Sequence, residues 1–120
     1  MNEDELKKFN CLNPPDFQFP RKKEVQDRYD KDIGSNKQKE FINSVRDKIE
    51  KYDLTIEVNG YPYDVQEPIK HSCLWYKGVF APENVITYLN LHNIKYITFF
   101  ENSPEFKSIK SISHYHIFHY

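Results

Sequence analysis

Apolar residues recur at helical spacing in the first half of the chain and alternate in the second. Between residues 21 and 33, Val25, Tyr29 and Ile33 fall four apart and draw one stripe down a helix. Gly34 ends that helix by offering a left-handed conformation. Ser35 and Gln38 form a capping-box pattern that opens a second helix over 36–52, with Phe41, Val45, Ile49 and Tyr52 on one face and Ile42 beside them. From residue 54 the period drops to two. Leu54, Ile56 and Val58 alternate with Thr55, Glu57 and Asn59, as on a half-buried strand. Asn59-Gly60 marks a turn, and Pro62 stops a long central strand from following directly. Residues 71–76 (HSCLWY) read as a second strand. Pro82 suits the first turn of a helix that carries Val85, Ile86 and Leu89 and that Asn93 can end. Residues 94–100 (IKYITFF) are a third strand, and 114–120 (HYHIFHY) a fourth. The third is apolar on both faces and is therefore expected at the centre of the sheet.

Upstream, the first ten residues suit a short helix. Pro14, Pro15 and Pro20 exclude regular structure over PPDFQFP, where Phe17 and Phe19 are expected to pin an extended arm to the domain. The whole reads as an α+β fold: a small, mostly antiparallel sheet of about four strands, with the helical hairpin and one further helix packed on one face. One domain spans 1–120, made of an arm (1–20), the hairpin (21–53) and a strand-rich core (54–120).

Composition sharpens this division. Of 120 residues, 17 are basic and 18 acidic, for a formal net charge of −1. A broad nucleic-acid footprint needs a basic excess, so nucleic acid is not an expected partner, and the helical hairpin reads as a cover for the sheet rather than a DNA-binding motif. The apolar runs fall short of the ~20 residues that span a bilayer, and MNEDELKKFN lacks a signal-peptide core. A soluble cytoplasmic protein is expected, with Cys11 and Cys73 reduced. Lysine outnumbers arginine 14 to 3, as in the AT-rich genomes of some protists and large DNA viruses.

All five histidines and the single tryptophan lie after residue 53. On the last strand His114, His116, Phe118 and Tyr120 share one face. Two imidazoles so placed can flank an anion or bind a metal. If the strand bearing His71 is a neighbour, three imidazoles converge. With Glu101 they make a four-ligand set of the kind a divalent metal takes (His71, Glu101, His114 and His116). Anion binding by His71, His114, His116 and Lys107 is the metal-free counterpart. Trp75 offers a wall, and Tyr61 and Tyr63 of NGYPY offer polar aromatic handles. Cys73 shares a strand face with His71 but reads as a small buried hydrophobe, and His92 reads as a helix-end residue.

Two ordered runs carry a resemblance. The first is Tyr61-Pro62-Tyr63, then Pro68-Ile69-Lys70-His71, then Leu74-Trp75. The second is Phe99-Phe100-Glu101-Asn102-Ser103-Pro104, then Lys107-Ser108-Ile109, then Ser113-His114-Tyr115-His116-Ile117-Phe118. Together they resemble the uncharacterised family that includes the fungal N-acetylglucosamine-induced protein 1, whose members occur in fungi, other eukaryotes and some large DNA viruses. The resemblance implies a cytosolic protein with a tie to amino-sugar metabolism. It puts His71, Trp75, Asn102, Lys107, Ser108, His114 and His116 on matched positions. A weaker likeness is to histidine-triad hydrolases, whose third histidine is replaced here by Phe118.

The leading expectation is a His-lined pocket for a small polar or anionic ligand, a phosphorylated sugar or nucleotide. His114 and His116 would contact the anion or a metal, and His71 would orient or protonate. Tyr61, Tyr63, Trp75, Asn102, Lys107 and Ser108 would bind. Hydrolysis or isomerisation is the chemistry such imidazoles suit. The alternative is a non-catalytic interaction or structural protein, viral in origin, whose aromatic C-terminal strand packs against a partner.

Overall fold

A computed structural model describes residues 1–103 and 112–120. The element order is α1 (Glu3–Leu6), α2 (Lys23–Asp32), α3 (Asn36–Tyr52), β1 (Leu54–Val58), β2 (Lys70–Tyr76), α4 (Pro82–Leu91), β3 (Tyr96–Phe100) and β4 (Ser113–His119). The strands form one antiparallel sheet in the order β1-β2-β4-β3, so the chain is α+β.

The helix boundaries follow local chemistry. Gly34 takes φ +74 and closes α2. The Ser35 hydroxyl accepts from the Gln38 amide at 3.3 Å, while the Gln38 side chain reaches back to the Gly34 N–H at 2.6 Å. Two donors at the start of α3 are thereby satisfied. Pro82 opens α4, and Asn93, at φ 56, turns the chain beyond its end.

Alternation along the strands divides the core in two. Leu74, Tyr76, Tyr115, Ile117 and Phe99 face Val85 and Leu89 of α4. On the opposite face Cys73 and Trp75 pack against Val45 and Ile49 of α3, while Phe100 and Phe118 pack against Leu6 and Phe19 of the arm. Helices therefore cover both faces of the sheet, where one face was expected. The third strand is also displaced from its expected place: β3 is an edge strand. Its second apolar face is buried by the arm, and the arm also covers its edge. Thr98 donates to the Phe9 carbonyl at 2.6 Å and the Cys11 thiol to the Phe99 carbonyl at 3.5 Å. A covered edge needs none of the charges that guard an open one.

Candidate functional site

The β2–β4 register sets His71 opposite Phe118, Cys73 opposite His116 and Trp75 opposite His114. Because side chains alternate, all six fall on the face covered by the arm and α3. The three imidazoles do converge. His71 Nε2 lies 2.8 Å from His116 Nδ1, and the His114 and His116 rings meet edge to face at 5.1 Å.

One backbone donor fixes where the protons sit. The Tyr63 N–H donates to His71 Nδ1 at 3.1 Å. That nitrogen must therefore be bare, so neutral His71 carries its proton on Nε2 and donates it to His116 Nδ1. His116 is then protonated on Nε2, which lies 3.0 Å from the Asn102 amide, itself 3.0 Å from the Tyr63 hydroxyl. The relay closes when Asn102 presents its oxygen there, a half-turn of the amide group.

His71 is sandwiched between the rings of Tyr63 (4.6 Å) and Phe118 (4.8 Å). Burial pushes its pKa down to about 3, and the Arg21 charge adds to the effect. It stays neutral at physiological pH and orients His116 rather than donating protons to a ligand. Below pH 6.5 the unfolded chain protonates this residue and the folded protein does not, so stability is expected to fall as pH drops from 6.5 toward 3. Urea unfolding between those values checks the fall, with nitrogen NMR showing a neutral Nε2–H ring. A flat profile, or a ring titrating near 6.5, would contradict the buried relay.

The same geometry speaks against a metal. His71, Cys73 and His116 point potential ligand atoms within 4.8 Å of one another. A metal would need the lone pair of His71 Nε2, which the Tyr63 N–H converts into a donor. Burial also holds the Cys73 thiol up at about 12, so it remains protonated and is no nucleophile. The set expected from the sequence (His71, Glu101, His114 and His116) is not assembled. Glu101 accepts from Tyr76 at 3.3 Å, on the opposite side of the sheet.

Above the imidazoles lies a cavity of about 380 Å³ between the hairpin, the 57–61 turn and the sheet. His114, His116, Trp75, Asn102, Tyr61 and Tyr63 line it, and His71 lies beneath the lining. Lys107 and Ser108 fall outside the described residues. The sequence reading missed the other wall: Arg21, Arg28 and Lys37, with Tyr29, Gln38 and Phe41. Two of the chain's three arginines stand here, in a chain otherwise rich in lysine. That scarcity was the available signal, since a guanidinium fork does what an ammonium cannot.

Among the described residues Arg21, Arg28 and Lys37 line the cavity with one carboxylate, Glu57; Lys37 is paired with Asp32 at 3.5 Å and Glu57 with Lys48 at 2.6 Å, so the two guanidiniums are the cations without a carboxylate partner among those residues. Arg21 Nε donates to the Tyr61 carbonyl at 2.9 Å and Arg28 to the Gly60 carbonyl at 3.3 Å, which anchors both guanidiniums on adjacent carbonyls of one turn. The Tyr61 hydroxyl donates to Asp32 and holds that carboxyl below its usual range, with Lys37 contributing. The Trp75 indole N–H is buried without an acceptor among the described residues. The β4 strand, by contrast, runs between β2 and β3 with Tyr115, Ile117 and Phe118 buried. It is interior, so it does not offer the aromatic docking surface considered from the sequence.

No helix among the described residues is long and apolar enough to cross a membrane. No family model matches the chain, and no curated protein matches it significantly. Among solved structures the chain is similar to the crystal structure of HTC1, at 14% identity over 85% of this chain and 76% of that one, with a TM-score of 0.54. At that identity the likeness is one of fold alone.

Proposed function

We propose that this protein binds a small phosphorylated ligand in the cavity between the hairpin and the sheet. The observation that carries the reading is the concentration of Arg21, Arg28 and Lys37 over an aromatic floor in a chain with no positive excess. Partial desolvation strengthens such contacts, and charge-assisted bonds from a guanidinium fork suit a phosphate. The resemblance to the N-acetylglucosamine-induced family implies a tie to amino-sugar metabolism, which is compatible with a sugar-based ligand. Two free thiols, one of them buried, suit a reducing cytoplasm. If the ligand is turned over, the acid–base role falls to His114, which stands outside the relay. Its Nδ1 faces the Ile112 carbonyl at 3.3 Å, so the proton sits there.

Calorimetric titration with glucose 6-phosphate and with glucose tests this. Saturable binding of the phosphate ester alone is expected. Equal binding of both, or of neither, would remove the anion site.

A further inference from the structure

The rings around the cavity are already partnered. The guanidinium of Arg21 lies 4.3 Å above the Tyr29 ring and 5.0 Å from that of Tyr63, whose other neighbours are the stacked rings of His71 and His116. Arg28 lies over Tyr61 at 5.4 Å, and Tyr29 meets Tyr61 edge to face at 5.7 Å. Trp75 is covered by His114 at 4.2 Å and met edge-on by Phe41 at 5.9 Å. A nucleobase binds by laying its face on a ring, and among the described residues Tyr29, Tyr61, Tyr63 and Trp75 each already carry a guanidinium or an imidazole at stacking distance. Polar groups line it as well: the Gln38 amide, and the Asn102 amide that joins His116 to Tyr63.

We infer that the ligand is a phosphorylated sugar or polyol rather than a nucleotide. Its phosphate is held by the guanidiniums of Arg21 and Arg28, and its hydroxyls reach toward the Gln38 amide. The inference rests on the anion-site reading above and narrows it. Each guanidinium has five N–H donors. The anchoring bonds use Nε of Arg21 and one Nη1 donor of Arg28, which leaves the Arg21 terminal nitrogens with no partner among the described residues. Stacking on tyrosine holds the forks in place, so little side-chain freedom remains to be lost on binding.

Ribose 5-phosphate and AMP differ only by the base, and this pair tests the inference against ribose and inorganic phosphate. Calorimetry is expected to show ribose 5-phosphate binding within threefold of AMP, and at least tenfold tighter than either ribose or inorganic phosphate. AMP binding tenfold or more tighter than ribose 5-phosphate would overturn the sugar assignment and leave the anion site standing. Inorganic phosphate binding as tightly as the ester would also overturn it, since the sugar would then contribute nothing. No binding of any phosphate compound would defeat the anion site itself.

Discussion

Replacing Phe19 with alanine is expected to cost about 3–5 kcal/mol, the range for a fully buried phenylalanine. For a domain of this size that lowers Tm by about 10–20 °C. Phe19 is 2% exposed and sits at the centre of the arm's contact with the sheet, with ring neighbours Phe9, Phe17, Tyr63, Phe100 and Phe118. Phe100 and Phe118 are held by β3 and β4 and cannot collapse into the space. Phe17 is the control: it lies two positions away and is 44% exposed, so Phe17→Ala should cost under about 1 kcal/mol. Thermal unfolding of the two variants separates them. Equal, small effects would mean that the arm is not docked, and the covered edge of β3 would lose its explanation. Because Phe19 also backs Tyr63, whose N–H sets the histidine relay, the loss should extend to the cavity floor.

The second large effect concerns affinity. Arg21→Ala and Arg28→Ala are each expected to weaken binding of glucose 6-phosphate about 10–150-fold, from ~1.5–3 kcal/mol per hydrogen bond to a charged group. Arg46, the third arginine, is exposed on α3 and does not line the cavity, so Arg46→Ala should leave affinity within threefold. Arg21→Lys keeps the charge but loses the fork and the guanidinium's contact with the Tyr29 and Tyr63 rings, and should behave more like alanine than like the native residue. Calorimetry on each variant, with Tm confirming the fold, reads the result. A loss at Arg46 equal to that at Arg21 and Arg28 would show that net charge alone, not the cavity, attracts the ligand.

Much of this arrangement was legible before the fold. The alternation in HYHIFHY assigned His114, His116 and Phe118 to one face, and the pairing of β2 with β4 brought His71 to them. The breaks at Gly34, Ser35 and Asn93 were written in residues whose backbone preferences are local. Long-range cover was not legible. IKYITFF looked central because burial on both faces is the same pattern whether a strand or an arm supplies the cover. Glu101 was a candidate ligand because a carboxylate beside three imidazoles completes a four-ligand set. Phe100 pairs with His116 on the cavity face, so the next residue must face away. The arginines were hidden for another reason. α2 buries no residue, and its charges read as a solvated surface until the 59–61 turn folds against them.

The most direct test of the central claim uses the chain's only tryptophan, which gives a single indole N–H resonance from the cavity wall. Titration with glucose 6-phosphate, followed by proton–nitrogen NMR, should shift that resonance and the Asn102 side-chain amide along one saturable curve. Shifts confined to exposed lysines, with both cavity signals unmoved at saturation, would contradict the account.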